Sequence, residues 1–516
     1  MDYNNQLLSS LIMYPEINIV GVHVKHQYEK EEIKSHFPEL SIYLTNDIIN
    51  WNESFVTQDE IKSHYKSQIK VEHFFERYAD CSSSERLAYY YSSLAFWINL
   101  FNNTCIDCVL IGQIDHGSPA DTLLIDIAVE KNIPTYLFEI MLFNYDDRNQ
   151  YFSIKCCNTN TYLDLDALTP DFKCIPNIDA FISSFSHKPA VISYNNDDKI
   201  TLTDIYVSIS YSKKIALSKV INSVLFVPKK IALITGKSFN TKEKGMKIFW
   251  KFALVYSYSN YWLSHITRKS IKNELQGHVT YAPAKKYIHG WHYVNHLRQY
   301  YQRHSVKEIP NCQKYILYAL HLEPEASFMA RTTYNSQLYN ISMLSRSLPD
   351  GWKLYVKEHP MQFNTVKGGM YLKNSFVYRD EKYYEKICSF PNTYLLDYRI
   401  SSQSLLNKNI LSKNPRPNLV ATINGSITLE AIINDIPTLL FDKDTLSYES
   451  PLIFGVKDQS DISACLKQIE NHKIGPNDMN DIIKSLQHKL FICTPDLYFM
   501  IPDDLVKNLV LKSNSF

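Results

Sequence analysis

The sequence predicts an α/β protein: two units of alternating strands and helices with a basic, aromatic-rich helical segment between them. Three observations carry this reading. Short runs dense in β-branched and aromatic residues alternate with longer helix-periodic segments, first in the N-terminal part and again from Tyr315. From Tyr211 to Pro310 the strand pattern fades and positive charge accumulates. Of the 516 residues, 45% are hydrophobic and 21% charged, so the chain has enough apolar surface to offset its ordering entropy and global disorder is excluded.

The elements follow in order. INIVGVHV (Ile17–Val24) has the pattern of a buried strand. LAYYYSSLAFWINLF (Leu87–Phe101) is long, apolar and free of Gly and Pro, which fits a core helix. CVLIGQ (Cys108–Gln113) reads as a strand running into the loop IDHGSPA. TLLIDIAVEKN is helical, and IPTYLFEI (Ile133–Ile140) is a strand again. This strand–helix–strand order predicts a parallel sheet. Later, YILYALHL, WKLYVKEHP, NTYLLDY, NLVATI and PTLLF are strands, with QLYNISMLSRSLP, SSQSLLNKN and ITLEAIIND as helices between them. From Asp461 onward the pattern is helical in two or three pieces. Two units flanking an insert suggest two facing Rossmann-like domains. The expected division is 1–310, including the helical segment 211–310, then 311–475, then C-terminal helices over 476–516 that pack back on the first domain.

Net charge is +1, with 54 basic and 53 acidic residues, so a basic patch has to be local. Residues 211–310 carry 18 Lys or Arg and three Glu, a local balance of +15, with aromatics interleaved as in FWKFALVYSYSNYW. Such a face suits a membrane surface or an anionic glycan. The plainer alternative is a solvated helical face balanced by acids elsewhere. No nucleic-acid partner is expected. The ten Cys are too sparse for a disulfide scaffold, and the N-terminus lacks the basic and apolar regions of a signal peptide. No run of about 18 apolar residues occurs, so no membrane span is expected. The expected location is the cytoplasm, with free thiols and with peripheral contact to the inner membrane through 211–310.

Four stretches carry candidate chemistry. In LVATINGSITLEAIINDIPTLLF (Leu419–Phe441) a strand runs into Asn424-Gly425-Ser426 and a helix follows. Gly425 allows close approach or positive φ, and Ser426 is placed to cap the helix. The helix start suits a phosphate, and Glu430 is placed to reach ribose hydroxyls. The alternative is an ordinary strand–turn–helix joint. In KLYVKEHP (Lys353–Pro360) a strand ends in Lys357, Glu358, His359 and Pro360, where open α/β sheets bind ligands; the alternative is a surface loop. In ALHLEPEASFMAR (Ala319–Arg331), Glu323 and Glu325 follow a strand, as a general base or nucleophile would, or as helix-dipole acids. Cys105-Ile-Asp-Cys108 lacks a second pair at zinc spacing and reads as structural. The next loop offers Asp115 and His116, and the following strand Glu139, as acceptor-side polar groups. No P-loop, HExxH, GxSxG or GxGxxG occurs. Neither a metal nor a cofactor is expected.

LHLEPEAS, SLPDGWKLYVKEHPMQ and VATINGSITLEAIINDIPTLLFD resemble the bacterial capsular polysaccharide biosynthesis proteins, a family that includes transferases of 3-deoxy-D-manno-oct-2-ulosonic acid (Kdo). The resemblance is specific from Tyr315 to Gly455 and weaker at Gly112–Phe143. It implies the GT-B fold, two Rossmann-like domains facing a cleft. His359-Pro360 resembles the His-Pro motif that holds a cytidine nucleotide. Asn424-Gly425-Ser426 resembles the phosphate-holding loop, with Asn424 where the family often has Thr, and Glu430 matches the acid after it. Glu323 and Glu325 match the LEPEAS stretch, with Glu325 preferred as the catalytic carboxylate. The expected activity is transfer of Kdo or a nonulosonic acid from a CMP-sugar to a glycan or glycolipid acceptor in capsule or surface polysaccharide synthesis. The alternatives are a CDP-polyol phosphotransferase of teichoic-acid type, a UDP- or GDP-sugar transferase, and a catalytically silent glycan-binding subunit of a capsule assembly complex.

Overall fold

The computed structural model describes residues 8, 11–78, 82–112, 119–143, 150–165, 271–275, 278–282, 284–323, 332, 334–363, 375–407, 412–443, 450–471, 489, 491–493 and 503–513. These residues form an α/β structure with parallel sheets.

The C-terminal unit is a six-stranded sheet, parallel throughout. Its strands are β9 (Tyr315–Ala319), β10 (Lys353–Lys357), β11 (Thr393–Leu396), β12 (Leu419–Thr422), β13 (Thr438–Leu440) and β14 (Ile453–Gly455). Their order is β11-β10-β9-β12-β13-β14. Written from the first strand of the unit this is 3-2-1-4-5-6, the doubly wound arrangement whose switch point lies between β9 and β12. The strands are mostly apolar and buried because helices cover both faces. One face buries Ile316, Tyr318, Leu354, Val356 and Ala421 under the helices Ala284–His304, Gln337–Arg346, Glu381–Ser389 and Gln459–Glu470. The other buries Leu317, Tyr355, Leu396 and Val420 under the short helices Ser402–Leu406 and Ile427–Ile433. Side chains in these helices start cleanly: Asp380 accepts the Tyr383 N–H, Ser336 accepts that of Tyr339, and Asp458 accepts that of Ser460.

The N-terminal part departs from the all-parallel expectation. β1 (Val22–Val24) and β2 (Ile42–Leu44) pair in parallel as a small separate sheet. β3 (Val109–Ile111) and β4 (Thr135–Phe143) also pair in parallel, on either side of the helix Pro119–Glu130. β4 then turns back into β5 (Gln150–Cys156), which is antiparallel to it, and β6 (Thr161–Tyr162) pairs antiparallel with β5. The sheet is therefore mixed. Its core is built around Trp97, Tyr90 and Leu94 of the helix Ser83–Asn103, whose start is closed by the reciprocal hydrogen bonds of Ser82 and Glu85.

Two further expectations are corrected. The segment read as helical over 211–310 contains a hairpin, β7 (Ile271–Leu275) with β8 (His278–Ala282), before the helix Ala284–His304. Residues 211–270 lie outside the described residues. The C-terminal stretch read as helices contains a strand, β15 (Phe491–Cys493), which pairs antiparallel with β5. A helix follows at Asp503–Ser513, and its Lys507 reaches Glu16 and the ring of Tyr14. No helix among the described residues is long and apolar enough to cross a membrane.

Candidate functional site

The carboxyl ends of β9, β10 and β12 bring three of the candidate stretches together. Alternation along the strands sorts their side chains onto two faces. Lys357 follows Tyr355 onto the face covered by the helix Ile427–Ile433, and Thr422 follows Val420 onto the same face. Glu358 follows Val356 onto the opposite face. Adjacent residues of KEHP therefore do different work.

On the first face, the turn after β12 is not the one expected from sequence. Gly425 is not in the left-handed region, so positive φ is not the reason for a glycine there. The reason is space. A Cβ at Gly425 would lie 3.0 Å from the Thr422 hydroxyl and 3.6 Å from the ring of His321. Ser426 does not cap the helix. Its own backbone is already helical and its side chain makes no cap hydrogen bond. The Gly425 carbonyl accepts the Thr428 N–H and the Ser426 carbonyl that of Leu429, so the backbone itself closes the first turn. The Ser426 side chain is exposed beside Asn424 and Gly425, which are half-buried.

His321 was not singled out from the sequence. It stands two residues beyond β9, and its Nε2 lies 3.1 Å from the Thr422 Oγ1 and accepts the Asn424 N–H at 3.3 Å. It thus spans the switch point from β9 to the turn after β12. Its backbone is also fixed, since Gln337 Oε1 accepts the His321 N–H at 2.7 Å and Arg379 donates to the His321 carbonyl at 3.0 Å.

Lys357 is buried, and its ammonium makes no hydrogen bond among the described residues. Burial lowers its pKa to about 8, against the opposing fields of Glu430, Glu358 and Asp397. Glu430, on the helix Ile427–Ile433, is half-buried. Burial raises its pKa to about 7, and Lys357 is the charge that opposes the rise. The pair thus combines a cation and an acid that both titrate near neutrality. His359 is half-buried. Its Nδ1 accepts the Met361 N–H at 3.2 Å, so the neutral ring carries its proton on Nε2. Pro360 opens a single 3-10 turn, Pro360–Phe363, where its missing N–H costs nothing.

On the second face, Glu358 and Arg379 form a fully buried ion pair, with Nε to Oε2 at 2.8 Å. Tyr384 donates to the same oxygen at 2.7 Å, and the His359 N–H donates to the other at 2.8 Å. Burial pushes the Glu358 carboxyl up, and the Tyr384 and His359 hydrogen bonds and the Lys357 charge oppose the rise. Tyr301 completes the cage: its hydroxyl accepts the Glu358 N–H at 3.0 Å and donates to the Leu396 carbonyl at 2.7 Å. Arg379 also pairs with Glu323 through Nη1. Gln362 closes the two loops, accepting the Glu323 N–H at 2.9 Å and donating to the Glu323 carbonyl at 3.0 Å. Glu323 is therefore held by the loop after β10. Glu325, the preferred carboxylate, lies outside the described residues.

The N-terminal candidates are less informative. Asp115 and His116 lie outside the described residues. Glu139, in β4, accepts from the Tyr162 hydroxyl at 2.8 Å. Cys105 is exposed and Cys108 is half-buried, and neither forms a disulfide among the described residues.

Compared with known proteins, the chain matches no protein-family profile and no curated protein. Several solved structures resemble part of it. A KpsC from Thermosulfurimonas dismutans, described as a beta Kdo 2,7 transferase, is 12% identical with a TM-score of 0.23, covering 43% of this chain and 61% of its own. Two variants of the wall teichoic acid polymerase TagF are 13% and 12% identical, with TM-scores of 0.21 and 0.20. They cover 44% and 45% of this chain and 49% and 52% of their own. The matched part thus spans between about half and three fifths of each neighbour's length. Likeness at these scores is partial and carries no argument about this chain's chemistry.

Proposed function

We propose that the chain is a glycosyltransferase of bacterial capsule or surface polysaccharide synthesis, of GT-B architecture. It transfers Kdo or a nonulosonic acid from a CMP-sugar to a glycan or glycolipid acceptor. One observation supports the reading: Lys357 and His359 follow β10 and the turn 424–426 follows β12, at the carboxyl ends of strands on either side of β9, with Lys357 and Glu430 in each other's field, next to the switch point of a 3-2-1-4-5-6 parallel sheet. The motif resemblance from Tyr315 to Gly455 supplies the donor class.

In this reading the acceptor oxygen forms the new bond to the anomeric carbon, and the bond from that carbon to the CMP phosphate oxygen breaks. CMP leaves with the electron pair. Lys357 supplies positive charge as the phosphate arrives, and His359 donates from Nε2. Such groups stabilise charge as it develops on the leaving phosphate, in a site where little water competes. Glu430 takes hydroxyls of the nucleotide's ribose. Glu325 serves as base or nucleophile. We assign Glu323 a positioning role, since its carboxylate is committed to Arg379. The basic segment 211–310 holds an anionic acceptor or the inner-membrane surface, and replacing its lysines then lowers binding to anionic liposomes.

The test is thermal shift of the purified protein with CMP, CDP, UDP and GDP, beside His359→Ala. Stabilisation by CMP that the variant loses supports the proposal. Stabilisation by UDP or GDP alone overturns the donor. A response to CDP, followed by transfer from a CDP-polyol, moves the activity to phosphotransfer. No shift with any nucleotide favours a silent glycan-binding subunit.

A further inference from the structure

We infer that His321 is the positioning residue of the ligand turn: its neutral, Nδ1-protonated ring holds the Asn424 N–H and faces the Thr422 hydroxyl, and this sets turn 424–426 in the shape that receives the anionic part of the ligand. The inference rests on the proposed nucleotide site and deepens it. His321 does not itself touch the ligand in this assignment.

Four observations carry it. A ring nitrogen that accepts a backbone N–H bears no proton, so acceptance of the Asn424 N–H fixes the tautomer. The same nitrogen stands 3.1 Å from the Thr422 Oγ1, and that hydroxyl also lies 3.3 Å from the Ala319 carbonyl. One ring thus gathers the end of β12 and the turn beyond it onto the end of β9. The ring is held from behind, because the His321 backbone is anchored by both ends of the Gln337 amide, at 2.7 and 3.3 Å, and by Arg379 at 3.0 Å. Finally, the turn lies directly against these two side chains: a Cβ on Gly425 would come within 3.0 Å of the Thr422 hydroxyl and into ordinary contact, 3.6 Å, with the His321 ring.

The arrangement has the logic of an outer residue that orients the residues contacting the ligand. His359 and Lys357 reach the site from β10, and turn 424–426 reaches it from β12. Without a fixed distance across β9, the two halves of an anion site would vary in separation. His321 stands at that place, and Arg379 ties its backbone to the buried Glu358 that precedes His359.

The experiment compares His321→Leu with His321→Gln, which returns a side-chain oxygen able to accept the Asn424 N–H. Hydrogen exchange by mass spectrometry is followed over residues 419–430 of the unliganded full chain, and the thermal shift with CMP is measured on the same samples. Expected for His321→Leu is exchange at least tenfold faster over 419–430, unchanged exchange over β4 and the helix Ser83–Asn103, and loss of the CMP shift. His321→Gln is expected to restore most of both. If His321→Leu leaves exchange and the CMP shift at native values, the inference is overturned while the nucleotide site stands. If exchange rises but the native chain responds to no nucleotide, positioning of the turn is supported and the ligand reading is overturned. If His321→Gln behaves as His321→Leu in a folded protein, the acceptor role is overturned.

Discussion

Replacing Arg379 by Met tests the account of the buried cage most directly. The guanidinium is 1% exposed and serves four groups: the Glu358 carboxylate, the Glu323 carboxylate, and the carbonyls of His321 and Tyr378. Met fills much of the volume but leaves Glu358, which is 0% exposed, without its cation. Breaking a buried pair by removing one partner costs about 3–5 kcal/mol, because the remaining charge is uncompensated. That is a large part of the roughly 5–15 kcal/mol that stabilises a domain. The loss also depends on pH in a defined direction. Without Arg379, the folded state prefers Glu358 protonated, so its folded pKa lies further above the unfolded value. A group raised in this way contributes stability below its unfolded pKa and loses it as pH rises through the folded value. The penalty of Arg379→Met is therefore smaller at pH 5 than at pH 8. Urea denaturation followed by circular dichroism at both pH values reads this. The double variant Glu358→Gln with Arg379→Met removes both charges and is expected to recover more than half of the loss. A loss below about 1 kcal/mol, equal at both pH values, would refute the reasoning, since no unpaired carboxylate of this kind could then be present.

Three further outcomes follow from the same geometry. Glu430→Gln removes a carboxyl whose folded pKa is about 7 against an ordinary 4.5, so the native chain loses stability as pH rises between those values and the variant does not. At pH 8 the variant is more stable by up to about 3 kcal/mol, at pH 4 the two coincide, and the CMP shift falls; parallel pH–stability curves would contradict this. Tyr301→Phe removes the hydroxyl shared by the Glu358 N–H and the Leu396 carbonyl, and leaving buried backbone groups unpaired costs about 1–3 kcal/mol, seen as a lower urea midpoint with unchanged slope. Gly425→Ala presses a methyl against the Thr422 hydroxyl without backbone strain, so it lowers the CMP shift more than it lowers the melting temperature; equal losses would point to a general packing defect.

The C-terminal sheet was legible because its strands are buried on both faces. YILYA, KLYVK and LVAT are nearly continuous apolar runs, and runs of that kind mark central parallel strands. The residues after them, KEHP and NGS, could be placed at the carboxyl ends for the same reason. What remained hidden depends on contacts far apart in sequence. Arg379 sits in VYRDEKYYEK, a charged stretch that reads as a solvated helix start, and nothing local reports that its guanidinium is buried against Glu358 and Glu323. His321 interrupts an apolar run, LHL, and that polar residue at a strand end was the available signal. Ser426 has the residue type of a cap, yet the backbone turns helical one residue early, so the type alone misleads. β15 is three residues long and leaves no period to detect.

The pairing of β15 with β5 sets an order of events for a growing chain. Phe491 stands opposite Phe152, so among the described residues the Gln150–Phe152 stretch of this edge, beyond the part paired with β6, has no strand partner until most of the chain has been made. By then the contiguous stretch from β9 to β14 already has every strand of its own sheet. Local completeness favours early folding, and pairing across a long separation is slow. The later half of the chain is thus placed to fold first, while the start of β5, Gln150–Phe152, waits uncovered on the side that β15 will take, a position from which strands associate wrongly. Shortening the protein ahead of Phe491 would make that wait permanent, and soluble yield would fall although the C-terminal sheet keeps all six strands.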